Sequence, residues 1–130
     1  MVVFESPTGK TEWIEDKKIV KMTQVGKNTG DSLKKCLDTG LDALIKNKAY
    51  KWMSDNREMS VHAQEDYDWI NNDWTPRAIK SGWKKWALIQ PKTALSAISE
   101  KKFVDFFASH GIEVKIFEAP EDGLTWLQNV

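Results

Sequence analysis

The chain has a single cysteine, Cys36, so no intramolecular disulfide can form and packing must hold the fold together. Proline and glycine are sparse, four and seven in 130 residues, which excludes collagen-like and Pro/Gly-rich low-complexity chains. The two histidines, His62 and His110, stand far from each other and from Cys36. The close ligand pairs of zinc sites are therefore missing, and neither a metal nor a cofactor is expected. Neither sign of charge is in excess: 19 basic residues balance 19 acidic ones, interspersed along the chain. A nucleic-acid partner calls for a basic excess or stripe, so none is expected. No uncharged apolar run approaches the roughly 18 residues of a membrane span. The start MVVFESPTGK also lacks the basic-then-apolar order of a secretory leader. With a lone thiol, these features make the cytoplasm the expected compartment.

Tryptophan, by contrast, is abundant. Of seven, Trp69, Trp74, Trp83 and Trp86 fall within one short stretch, DWINNDWTPRAIKSGWKKW. Such a run is either a ligand platform or the filling that seats helices on a sheet, and the second reading is favoured because each ring falls on a periodic segment. The composition, 41% hydrophobic and 29% charged, is that of an ordinary globular protein. One domain over residues 1–130 is expected, since no repeat or linker divides the chain.

The periodicity sets an order of elements. TEWIEDKKIVKMTQV reads as a β-hairpin turning at Glu15-Asp16. Leu33, Leu37, Leu41, Leu44 and Ile45 then form one stripe of an amphipathic helix, with Asn28, Thr29 or Asp31 as its cap and Lys46 and Lys48 in its last turn. AYKWMSD is a short strand. EDYDWINN is a short helix burying Tyr67, Ile70 and Trp74. A second short helix has Thr75 at its cap, Pro76 in its first turn and Gly82 past its end. The strand KWALIQP is stopped by Pro91. A helix carrying Phe103, Phe106 and Phe107 ends at Gly111, the strand IEVKIF follows, and a helix closes the chain. Strands alternating with helices imply parallel neighbours joined by right-handed crossovers. The fold class is α/β: a single mixed, mostly parallel sheet with an N-terminal hairpin and helices packed on it.

Few motifs carry chemistry. FESPTGKT, Phe4 to Thr11, nearly matches a phosphate loop, but Phe4 stands where the first glycine belongs and a strand follows where a helix should. The serines offer no nucleophile elbow. Glu65 and Asp66 read as acids favoured in the first turn of their own helix. In open α/β sheets ligands sit outside the carboxyl ends of strands, which singles out Asp55, Asn56, Arg57 and Ser60 in the loop read after the strand AYKWMSD. Trp69, Trp74 and Arg77 are added as an aromatic and cationic shoulder beside it.

KWMSDNREM, DWINNDWTPRAIKSG, WKKWALIQP and IEVKIFEAPEDGLTWL together resemble a group of small bacterial proteins with a SpoIIAA-like fold, related to the STAS (anti-sigma-factor antagonist) domains. The resemblance spans roughly residues 12–128 and implies a mixed sheet with helices against it. It does not bring the antagonists' phosphoswitch, because SDNREMSVHAQED has no Asp-Ser-Ser-Gly-like turn and Ser60 is only nearby. The expected function is a non-enzymatic STAS-like interaction module that binds a protein partner or forms a homodimer. The alternative is a binder of a small apolar or lipid-like ligand in a Trp/Phe-lined pocket.

Overall fold

The computed structural model describes residues 1–90 and 97–130. Six strands form one sheet in the order β1 (Val2–Ser6), β2 (Gly9–Ile14), β3 (Ile19–Gly26), β4 (Lys51–Met59), β5 (Lys85–Ile89) and β6 (Glu113–Phe117). The first three are antiparallel and the last four parallel, so β3 belongs to both sets. The mixed sheet, its hairpin and the alternating helices match the sequence reading, with β1 as an addition. The stretch FESPTGKT is itself a hairpin, β1 and β2 closed around Ser6 to Gly9, and cannot cradle a phosphate as a loop would. Pro91, read as the stop after β5, lies outside the described residues.

The strand order never reverses. Right-handed crossovers laid down in one direction fall on one side of a sheet. Accordingly α1 (Gly30–Lys46), the helical run of residues 64–79 and α4 (Ala97–Ala108) feed one buried cluster with Trp13, Val20, Met22, Trp52, Leu88 and Val114. Among the described helices, only α5 (Pro120–Gln128) crosses to the other face. There Leu127 packs on Ile19, Met53, Ala87 and Ile89, over strands β3 to β5. On the antiparallel half that same face keeps charged side chains, among them Lys10 and Glu12 at 3.8 Å, as antiparallel sheets with one wet side do.

The helical run corrects the expected pair of helices. α2 (Gln64–Trp69) continues through a π-helical turn (Ile70–Trp74) into α3 (Thr75–Ile79), with Trp69, Ile70, Trp74 and Thr75 all in right-handed helical geometry. Thr75 therefore caps nothing. Pro76 lies inside the run, where it has no N–H to give and its ring crowds the carbonyl four residues back; a widened turn just before it relieves both faults. Two edges of the amphipathic stripes also shift. Ile45 is 51% exposed and Phe106 49% exposed, while Leu44 and Phe107 beside them are buried. Among the described residues no helix is long and apolar enough to cross a membrane.

Four tryptophans, Trp13, Trp52, Trp74 and Trp83, are buried. Trp52 lies edge-on to Trp74 at 5.5 Å between ring centroids, and Trp83 meets Trp52, Trp74, Trp86 and Phe107 at 5.1 to 6.0 Å. Ser54, between Trp52 and Trp86 on the inner side of the sheet, accepts both of their indole N–H groups at 3.0 Å. One hydroxyl thereby satisfies two large side chains from neighbouring strands. The space between helices and sheet is filled by these rings themselves.

Candidate functional site

The strand read as AYKWMSD runs on to Met59, so Asp55, Asn56 and Arg57 are strand residues and only Ser60 lies beyond the end. Between Thr23↔Asp55 and Val25↔Glu58, β4 carries one residue more than β3, a bulge at Asn56 and Arg57. Ser60 is exposed and its N–H donates to the Gly26 carbonyl at 2.8 Å, which keeps the chain against β3.

Strand alternation then separates these residues. Asp55 shares the face of Met53, on the side of α5, and is buried. Arg57 folds back on it, donating from Nε at 2.9 Å and Nη2 at 2.8 Å, with its backbone N–H on the same carboxylate at 3.3 Å. Burial pushes the Asp55 carboxyl up, but the side-chain and backbone hydrogen bonds from Arg57 more than offset this and hold it below the usual carboxylate range. Asn56 faces the opposite way and accepts from Gln24 at 3.1 Å.

The aromatic shoulder is divided as well. Trp74 is buried in the ring cluster and is not available to a ligand or partner, which corrects its place among the candidates. Trp69 is half-buried, with the Lys34 ammonium 5.6 Å and the Arg77 guanidinium 5.9 Å from its centroid. Arg77 also donates to Asp38 at 2.9 Å and Asp73 at 3.2 Å. This group clasps α1 to the π turn and α3. The seven candidates therefore do not form one surface: Asp55 and Arg57 face α5, whereas Asn56, Trp69 and Arg77 lie on the α1 side. The crevice expected at strand ends needs a reversal of strand order, and the sheet has none.

A polar cluster that sequence reasoning missed occupies the α1 side of the same end. Asn28, fully buried, donates to Gln24 at 3.1 Å and accepts from Ser32 at 2.6 Å and Thr8 at 3.1 Å. Its backbone carbonyl meets His62 Nδ1 at 3.1 Å. Ser6 and Ser32 share a hydrogen bond of 2.7 Å. Cys36 lies beneath, its thiol pushed up by burial. Gly9 makes room for all this, since a Cβ there would stand 2.5 Å from Cys36 Sγ and 2.8 Å from Asn28 Nδ2. Every side chain of the cluster has a partner, so its chemistry is that of a fastening. The signal in the sequence is faint: Asn28 reads as a candidate helix cap, His62 as a lone histidine far from any ligand pair, Thr8 as part of FESPTGKT and Gln24 as an ordinary strand residue, so nothing joins them.

The layered sheet and its one-sided crossovers define a SpoIIAA-like α/β domain. Among solved structures, the chain is similar to an uncharacterised protein from the DUF3478 family with a SpoIIAA-like fold, from Shewanella loihica PV-4. The two are 18% identical with a TM-score of 0.64, over 95% of this chain and 98% of that one. No family model matches the chain. No curated protein matches it either. At that identity the likeness carries the fold and nothing of function.

Proposed function

We propose that the protein is a non-catalytic, STAS-like interaction module that docks a protein partner, or a second copy of itself, on the carboxyl end of its sheet. The observation that carries this reading is the contrast between side chains there. Asp55 and Arg57 are spent on each other and Asn56 on Gln24, while Val61, just past β4, is 76% exposed and Val25, on β3, is 44% exposed. Ionic groups locked in pairs offer little to a substrate. Valines held in water at this end of the chain's strands lose that exposure when a partner covers them.

Light scattering across a concentration series tests self-association, and recovery of cross-linked proteins from cells with wild-type or Val25→Asp/Val61→Asp bait tests a foreign partner. Association or recovery that disappears in the double variant supports the reading. A strict monomer with identical recoveries from both baits overturns it.

One observation favours the alternative of a small apolar ligand. A groove of about 500 Å³ runs between β1 and the flank of α1, lined by Met1, Val3, Trp13, Thr39 and Ala43 with Asp42 and Lys46 at its rim. It holds one tryptophan and lies away from the ring cluster that the sequence suggested as the pocket. A ligand there would change Trp13 emission, and a Trp13→Phe variant would lose that change.

A further inference from the structure

The sixteen residues of the helical run and the loop before it are not fastened evenly. From Trp69 onward, Trp69, Ile70 and Trp74 pack on the main core. Before that point, in residues 60–67, the buried side chains are His62 and Asp66, both ionisable. Val61, the large apolar side chain of that stretch, is turned outward. Asp66 lies in the first turn of α2, but the hydrogen bonds of its side chain are made elsewhere. Its carboxylate accepts the Thr29 hydroxyl and the Gly30 N–H, the latter at 3.2 Å, at the start of α1. Thr29 occupies the N-cap position of that seventeen-residue helix but makes no side-chain cap bond of its own. The first turn of α1 is therefore completed from 36 residues away, by a residue of α2.

We propose that residues 60–67 form a detachable strap, held on the N-terminal end of α1 by His62 and Asp66 at neutral pH and released by acidification before the rest of the fold. A segment without a buried apolar anchor belongs to the low-stability end of a structure. His62 donates from Nδ1 to the Asn28 carbonyl on the α1 side, Tyr67 packs edge-on to it at 5.3 Å, and Asp66 is the charged group acting on it. Burial disfavours the imidazolium more than the Asn28 carbonyl and Asp66 favour it, so the ring's pKa in the closed strap lies below the 6.5 of a free imidazole. The proton consequently prefers the open strap. The contribution of His62 to closure is complete above about pH 6.5 and declines as the pH falls below it. Val61 rides on the strap, so a partner docked there would feel its release; the strap itself does not depend on that reading.

Hydrogen exchange, corrected for intrinsic rates and followed at about pH 7.5 and about pH 5.5, tests this. At the lower pH, protection is expected to fall in residues 60–68 and at the start of α1, by a factor of at most about ten, while the amides of β4 to β6 keep theirs. His62→Gln retains an N–H donor but cannot titrate, and should lose the pH dependence. Asp66→Asn should weaken protection at both values. Uniform loss across the sheet, or wild-type pH dependence in His62→Gln, overturns the proposal. Should His62→Gln fail to fold, the wild-type imidazole titration followed by NMR decides: a midpoint below 6.5 shared with the Gly30 amide supports the strap, and a midpoint at or above 6.5 sinks it.

Discussion

Around Trp52 the interior is closed by rings in contact with rings, whereas around Asn28, at the other end of the same sheet face, it is closed by directed hydrogen bonds. The difference lies in tolerance. Dispersion and hydrophobic burial accept many arrangements of similar volume, while a buried amide demands each partner at its place. Burial of the rings is expected to give the aromatic half the larger share of the stability, and the directed bonds of the polar half set the geometry of the strand ends and of the start of α1. Each half is fitted with a glycine. A Cβ on Gly40 would stand 2.4 Å from Trp52 Cη2, just as one on Gly9 would strike Cys36 and Asn28.

The largest expected effect breaks the aromatic side. Trp52→Ala removes a fully buried ring that touches Trp74 and Trp83 and leaves Ser54 with one indole fewer. A loss of about 3–5 kcal/mol is expected in denaturant unfolding, together with collapse of the near-UV tryptophan signal. Asn28→Ala should cost less, about 1–3 kcal/mol, through the stranded donors and acceptors of Thr8, Gln24 and Ser32. Its near-UV spectrum should stay close to wild type, because the rings lie elsewhere. If the two variants gave the same loss and the same spectral change, the division of labour between the halves would be wrong.

These halves were unequally legible in the sequence. Leu33, Leu37, Leu41 and Leu44 repeat with helical period, and Trp83 and Trp86 precede an apolar run, so burial could be read from spacing alone. The polar cluster has no period. Gln24, Asn28 and His62 meet only because β3, the loop after it and the end of β4 converge, and Asp66 reaches Gly30 across 36 residues. Local rules place Asp66 in the first turn of its own helix, where it does lie, but carry no sign of the helix it reaches. The π turn was hidden for a similar reason, since Pro76 looks like a helix start until the helix before it is known to continue. The first strand and the β4 bulge escaped because β1 is five residues long and because only Glu58 and Met59 of β4 follow the inserted residue, too few to show the reversed alternation.

A smaller test concerns Asp55 and Arg57, on the face that α5 shares. The Asp55 carboxyl sits below its ordinary 3.8, so the stabilisation it brings is present above that pH and is lost as the pH falls through the lowered value. Arg57→Gln leaves a buried carboxylate without its cation, and burial then raises that carboxyl. The Tm difference between wild type and variant should be widest near neutrality and shrink as the pH is taken toward 3. A difference independent of pH would mean that the pair contributes by packing alone.

The smallest effect sharpens the comparison by setting the two ends of α1 against each other. Its N-terminal end depends on a side chain from α2, but its C-terminal end is closed by the chain's own backbone: Lys48 N–H reaches the Ile45 carbonyl at 3.1 Å and Ala49 N–H the Leu44 carbonyl at 2.9 Å. That closure places Lys48 at φ 52°, a left-handed conformation in which glycine is at ease and lysine is strained. Lys48→Gly should therefore stabilise the protein by about 0.5–1 kcal/mol, partly offset by the added freedom of the unfolded chain. The gain should be the same at neutral and mildly acid pH, since no ionisable group closes this end. A gain that varied with pH in step with His62 would show that the two ends of the helix are coupled, and that the strap acts on more of α1 than its first turn.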